Sequence, residues 1–255
     1  MKLIVALWHN GCLTPLVMKK TSTILAIGSG LFLGQAQAEI ESEFHVGYNS
    51  EYVFRGVDLG SDAFEYGFDV AGSCECGFDW SAGIWSISPD GTDDDELDIY
   101  AAVSKDLGFG SVAVGFTSYQ YDAFDDDAEV FLGLTAEPFA GLEAGLTAYF
   151  GVDGAMEEQI ILEGSLGYSF DISSTVAVNL GLVYGYVIDD GLGVAGGYYQ
   201  DEDSAYASAT ISVDLGLSDD ITLSPYVSYV DGDDDTNIYG TKEGLIGGAT
   251  LSFTF

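Results

Sequence analysis

The chain carries 42 acidic against six basic side chains in 255 residues, a formal charge of −36. This excludes nucleic acid as a partner, because polyanion binding needs cationic side chains to replace phosphate counterions. Four prolines and a hydrophobic share of 47% exclude a disordered chain, and no apolar run of 18 residues follows the N-terminus, which excludes a helical membrane span.

In chain order, the first readable segment is 18–38, "MKKTSTILAIGSGLFLGQAQA". A basic start at Lys19 and Lys20, an apolar core and the small-residue site Ala36-Gln37-Ala38 make it a secretory signal peptide. The preceding 17 residues, with Trp8, His9 and Cys12, add nothing a signal needs, so Met18 is the expected start. Residues 1–38 are then the expected leader and 39–255 a single mature domain. Losing Lys2, Lys19 and Lys20 leaves three basic side chains against all 42 acidic ones. Such charge suits either a saline medium, where screening tolerates it, or a functional role.

From there apolar and polar residues alternate, with breaks rich in Gly, Asp and Ser. The apolar stripes cover 44–48, 64–70, 78–84, 97–103, 112–116, 130–134, 142–150, 160–170, 176–186, 207–215, 221–229 and 249–255. Period two is the strand signature, so about twelve strands are expected. Tight turns ("SCECG", "KDLGFG", "EPFAG", "DISST", "LSDD") follow the even strands and longer, mostly acidic segments the odd ones. An all-β, transmembrane antiparallel β-barrel with periplasmic turns and extracellular loops has this pattern.

Charge placement tests this reading, because a carboxylate facing hydrocarbon has no water to solvate it. Glu41, Glu43, Glu65, Asp69, Asp79, Asp98, Glu129, Glu143, Glu163 and Asp214 all take the parity opposite to the apolar stripe. Tyr48, Phe64, Phe150, Phe170, Tyr186, Tyr229 and the terminal Phe255 stand at strand ends, as interfacial girdles require. A soluble β-sandwich would also alternate, but its polar face would carry Lys, Arg and Thr against edge pairing. Here that face carries Gly47, Gly67, Gly83, Gly115 and Gly133 among small hydroxyls, which leaves room for enclosed water.

The run "VGYNSEYVFRGVDLG", followed by "EYGFDVAG" and "SAGIWS", is similar to the opening of the TorF-type porin family. Its hallmark falls on Ser50, Tyr52, Phe54, Arg55 and Gly56, and the match spans 46–86. The terminal phenylalanine resembles the assembly signal of bacterial outer-membrane barrels. The resemblance implies an outer-membrane channel without a catalytic site. If the first strand runs on unbroken, Tyr52 and Phe54 face outward and Arg55 faces the lumen. There it either rivets the wall by pairing with carboxylates or sets a constriction charge.

The expected pore lining is Arg55 with Glu43, Glu65, Asp69, Asp79, Asp98, Glu129, Glu143, Glu163 and Asp214, a carboxylate set that favours cations. Twelve strands fall between barrels filled by side chains and open channels, and a narrow water-filled pore is expected. On the acidic rim, Asp231, Asp233 and Asp235 alternate as in a calcium loop, but Thr236 and Lys242 replace the required Gly and Glu. Weak Ca²⁺ or Mg²⁺ binding is the most they offer. "GLGVAG" (191–196) has the spacing of a dinucleotide fingerprint without a following helix, and reads as a loop. Cys74 and Cys76 could close a small ring, stay reduced or take a metal. His45, the one histidine of the mature chain, sits beside Glu43 without a nucleophile motif, so no enzyme is expected. The expectation is a porin-like outer-membrane channel for passive diffusion of small hydrophilic solutes, preferring cations, in contact with outer-membrane lipid and using no cofactor. The alternative is a closed structural or surface-binding barrel with acidic loops.

Overall fold

The computed structural model describes residues 6–9, 12–15, 40–90, 95–190, 204–233 and 240–255. Two short strands, β1 (Ala6–His9) and β2 (Cys12–Pro15), form a separate two-stranded sheet. Twelve longer strands follow: β3 (Ile40–Phe54), β4 (Val57–Ser73), β5 (Asp79–Asp90), β6 (Glu96–Asp106), β7 (Ser111–Tyr121), β8 (Asp127–Phe139), β9 (Leu142–Asp153), β10 (Gln159–Ser173), β11 (Val176–Asp190), β12 (Ala205–Gly216), β13 (Ile221–Gly232) and β14 (Glu243–Thr254). Each pairs antiparallel with its neighbours in sequence, and β14 closes the cylinder on β3. The twelve-stranded all-β barrel predicted by the alternation is the fold.

Closure removes sheet edges, and the pleat then sorts side chains strictly between outside and inside. In the β5–β6 register Ile84 stands opposite Ile99, and Trp85 opposite Asp98. Ile84 and Ile99 are each 44% exposed, whereas Trp85 and Asp98, one residue along, are 2% exposed. Apolar residues therefore coat the outside and carboxylates line the inside, the reverse of a water-soluble globule. Val46, Phe68, Val114, Leu132, Leu146, Leu166, Leu182, Ile211 and Val227 continue the outer coat. Inside, glycine, hydroxyl and carboxylate positions alternate with them.

One connection departs from the predicted pattern. A longer acidic segment is expected between the first two barrel strands, yet β3 and β4 meet in the two-residue turn Arg55-Gly56. Both residues have positive φ (49° and 84°), the geometry of the tight turns that match strand twist. Gly56 is also required by close approach: a Cβ there would lie 2.8 Å from the Gly232 Cα and 2.9 Å from the Tyr206 Cβ. Beyond Asn49, opposite Gly248, β3 has no ladder with β14. On β4 the ladder with β5 passes through a bulge between Ser61 and Phe64, where Asp62 takes φ 48°. Residues 50–60 thus outrun both neighbours, and the hairpin tip bends across the mouth of the barrel.

The tip is anchored from several directions. Val53 packs with Tyr226, Val230 and Ile246 on β13 and β14. Val57 packs with Ile161, Val183, Val187 and Tyr206 on β10, β11 and β12. Tyr52 meets Trp85 edge-on, ring centroids 5.9 Å apart, beside Ala63, Ile87 and Tyr100. Tyr52 keeps the register of Phe44 and Tyr48 and is nonetheless inside, not outside as an unbroken strand predicts, because the tip folds inward and both of its faces are covered, Tyr52 against Trp85 and Val53 against Tyr226.

Candidate functional site

The end of the barrel covered by this tip contains a polar cluster built around one cation. Arg55 donates from Nη1 to Glu129 Oε2 at 2.9 Å and from Nη2 to Glu129 Oε1 at 2.8 Å, a fork-on-carboxylate pair across the lumen. The guanidinium carbon lies 4.2 Å from the Tyr149 ring centroid and 4.7 Å from that of Phe54, close enough for cation–π attraction. The Tyr119 hydroxyl donates to Glu129 Oε1 at 2.9 Å. Arg55 and Glu129 are 6% and 2% exposed, so the pair is screened from solvent.

Further carboxylates surround the pair. Glu163 lies in the field of the same guanidinium and accepts from Tyr206 at 2.7 Å and Tyr149 at 3.2 Å. Glu96 accepts from the Tyr52 hydroxyl at 2.7 Å. Asp98 lies against Glu96 and in the field of Glu129, and its buried Oδ1 has no hydrogen-bond partner among the described residues.

Toward the end where β3 begins and β14 ends, several inner carboxylates are less buried. Tyr100 donates to Asp69 at 2.5 Å and Ser252 to Glu43 at 3.1 Å. Glu65 accepts from Asn49 at 3.0 Å and Thr250 at 3.3 Å, and Asp214 from Ser224 at 2.8 Å and Asn179 at 2.9 Å. Glu143 is partly exposed on the same inner parity, and Asp79 accepts from Ser73 at the strand end. His45 Nδ1 stands 3.6 Å from Asp69 Oδ2 and 3.9 Å from Glu43 Oε1. The Ser252 hydroxyl serves Glu43 and not this imidazole.

The structure thus gathers Arg55, Asp98, Glu129 and Glu163 at one level and spreads Glu43, Asp69 and Asp214 at another. It also adds a set of groups the alternation does not single out: inward tyrosines. Tyr52, Tyr100, Tyr119, Tyr149 and Tyr206 each donate to a carboxylate. These rings occupy the space over inner-wall glycines, where enclosed water is expected from sequence. A Cβ at Gly185 would lie 1.9 Å from Tyr206 Cζ, and one at Gly83 2.6 Å from the Tyr100 ring. At these two positions glycine is a gap for a neighbouring aromatic, whereas Gly47 makes room for Glu65, Gly67 for His45, and Gly167 has nothing within 4 Å. For Tyr100, Tyr119, Tyr149 and Tyr206 the signal in the sequence is tyrosine on the carboxylate parity, one residue out of step with the apolar stripe; Tyr52 stands on the apolar parity and carries no such signal.

Outside the lumen, Cys74 and Cys76 form a disulfide in the β4–β5 turn, with Cα atoms 5.2 Å apart. Lys242 pairs with Glu51 near the tip, and Lys105 stacks on Phe78 outside the wall. Asp235 and the "GLGVAG" loop lie outside the described residues; Asp231 and Asp233 close β13 and begin the segment after it. Among the described residues no three His, Cys, Asp or Glu side chains are grouped to hold a metal ion.

Closed antiparallel strands, an apolar exterior and a charged interior define a twelve-stranded β-barrel of inside-out polarity, and solved structures of porins share that fold. The NanC porin superposes with a TM-score of 0.54 at 13% identity, over 83% of this chain and 98% of that one. The KdgM porin gives 0.52 at 10%, over 84% and 99%, and was also solved with a disordered oligogalacturonate. An outer membrane channel from Pseudomonas putida F1 gives 0.53 at 10%, over 90% and 100%. No curated protein matches by sequence. The family model described as "Bacterial protein of unknown function (Gcw_chp)" matches residues 34–250, and the chain belongs to that family.

Proposed function

We propose that the protein is an outer-membrane channel through which small hydrophilic cations diffuse down their own gradient, with the barrel interior as the path. The observation that carries this is the sign of the interior. Of the three basic residues beyond the leader, Lys105 lies outside and Lys242 serves Glu51, so Arg55 alone faces Glu43, Glu65, Asp69, Asp98, Glu129, Glu143, Glu163 and Asp214. A carboxylate-lined passage raises the local concentration of cations and repels anions. Such a wall disfavours an acidic oligosaccharide of the kind found with the KdgM porin.

The docked tip supports a second reading, a closed barrel with a structural role. Planar-bilayer recording of the purified chain separates the two. Stepwise currents are expected, with reversal potentials in a KCl gradient on the cation side. Glu43→Gln and Glu143→Gln, which neutralise less buried inner positions, are expected to move the reversal potential toward zero. A membrane that stays silent, even with a variant lacking the tip side chains, would establish the structural role.

A further inference from the structure

We infer that the inner cluster of Glu129, Asp98 and Glu96 is a receptor for a guanidinium- or amine-bearing solute, occupied here by the chain's own Arg55, so that solute and hairpin tip compete for one site. The inference rests on the channel reading for its consequence, since displacing the tip would open the path, but the site itself stands on its own geometry.

Three observations point to it. First, the Arg55 seat has the parts of a guanidinium receptor: a carboxylate gripping both prongs of the fork at 2.8 and 2.9 Å, and the Tyr149 face 4.2 Å from the guanidinium carbon. A planar cation recognised by a bidentate acceptor and an aromatic face is specific chemistry, which a lysine-type point charge satisfies less well. Second, the site is under-neutralised. One guanidinium faces Glu129, Asp98, Glu96 and Glu163, and the Asp98 Oδ1, on a side chain 2% exposed, is without a hydrogen-bond partner among the described residues. A buried polar atom is costly unless it is paired, so the cluster keeps an open acceptor for an added N–H donor. Third, the occupant sits on a turn and not on a strand of the wall. Residues 50–61 are bonded mainly to each other within the hairpin. Among the described residues their ties elsewhere through backbone groups are the Ser61–Asp90 ladder pair, the Val57–Thr241 bridge, Asp58 N–H to the Gly240 carbonyl at 3.2 Å, Lys242 N–H to the Gly56 carbonyl at 3.0 Å and Gly247 N–H to the Ser50 hydroxyl at 3.0 Å. The turn that presents Arg55 holds that residue at φ 49°, a conformation side chains rarely adopt. Strain of this kind marks positions held by the surrounding contacts.

An external cation of the same shape therefore pulls on the carboxylates that hold the tip. Monovalent metal ions lack the fork and the flat face, so they are expected to permeate without seating.

The test uses methylguanidinium, the arginine head group alone, on the purified full chain, with two readouts: titration calorimetry and planar-bilayer current. Arg55→Ala empties the seat and is expected to bind methylguanidinium at least ten-fold more tightly than the wild type. Adding Glu129→Gln to Arg55→Ala is expected to cost roughly ten- to hundred-fold of that affinity, the range for hydrogen bonds to a charged partner. Gly232→Val gives an independent route with Arg55 and Glu129 intact: a Cβ at this position would lie 2.4 Å from the Gly56 carbonyl oxygen, so the tip must lift. That variant is expected to conduct more than the wild type. Equal methylguanidinium affinity in Arg55→Ala and Arg55→Ala/Glu129→Gln would overturn the site. Binding without current in any variant would leave the site standing and sink the channel reading; current without binding would do the reverse.

Discussion

Arg55→Leu is expected to destabilise the docked tip by about 3–5 kcal/mol, and Arg55→Leu combined with Glu129→Leu to recover most of that loss. The arithmetic follows from burial. Removing one partner of a buried ion pair leaves an uncompensated charge at that cost, whereas replacing both by apolar side chains of similar volume is often neutral or better. Here the stranded charge would be Glu129, 2% exposed and held otherwise by the Tyr119 hydroxyl. The double variant leaves Glu163 and Glu96 with their tyrosine hydroxyls. Because the strands of the wall do not depend on this pair, the loss appears as undocking and not as barrel unfolding. Trp85, which meets Tyr52 at 5.9 Å, reports the event: its emission is expected to shift to the red in Arg55→Leu and return in the double variant. Hydrogen exchange of the 53–59 amides is expected to follow the same order. Equal effects of single and double substitution would show that the two side chains do not act as a unit.

The barrel was legible in the sequence because its physics is periodic. A pleated wall between two unlike media forces every second residue to one side, so parity alone assigned Asp98, Glu129 and Glu163 to the interior, where the structure has them buried. The hairpin tip was not legible because it breaks that period without changing the residue pattern. Tyr52 and Phe54 continue the alternation of Phe44, Val46 and Tyr48, yet the inward bend of the tip at Asp62 brings them against Trp85 and Tyr119. Facing at such a point is decided by what the tip packs against, namely Ile161, Val183 and Tyr206, more than a hundred positions away in the chain. The same holds for the inward tyrosines. Glycine at 83 and 185 looks like empty volume until Tyr100 and Tyr206 on adjacent strands are placed over it.

The strongest expectation about the medium comes from two adjacent positions on β9. Leu146 is 52% exposed on the outer face, opposite Leu134 and Gly164, while Thr147 faces inward opposite Glu163. An arginine at the outer position of a barrel embedded in hydrocarbon costs about 2–4 kcal/mol near the midplane. On a surface facing water the same substitution would fall within about 0.5 kcal/mol. Leu146→Arg is therefore expected to lower the unfolding free energy in lipid vesicles by that larger amount, measured by urea titration. Thr147→Arg adds the same charge one residue along, where it meets the acidic interior, and is expected to change stability little. The difference between the two isolates the surroundings of each face from the chemistry of arginine. Should both variants match the parent chain, hydrocarbon is not what the outer coat faces, and the passage of solutes through the interior loses its premise.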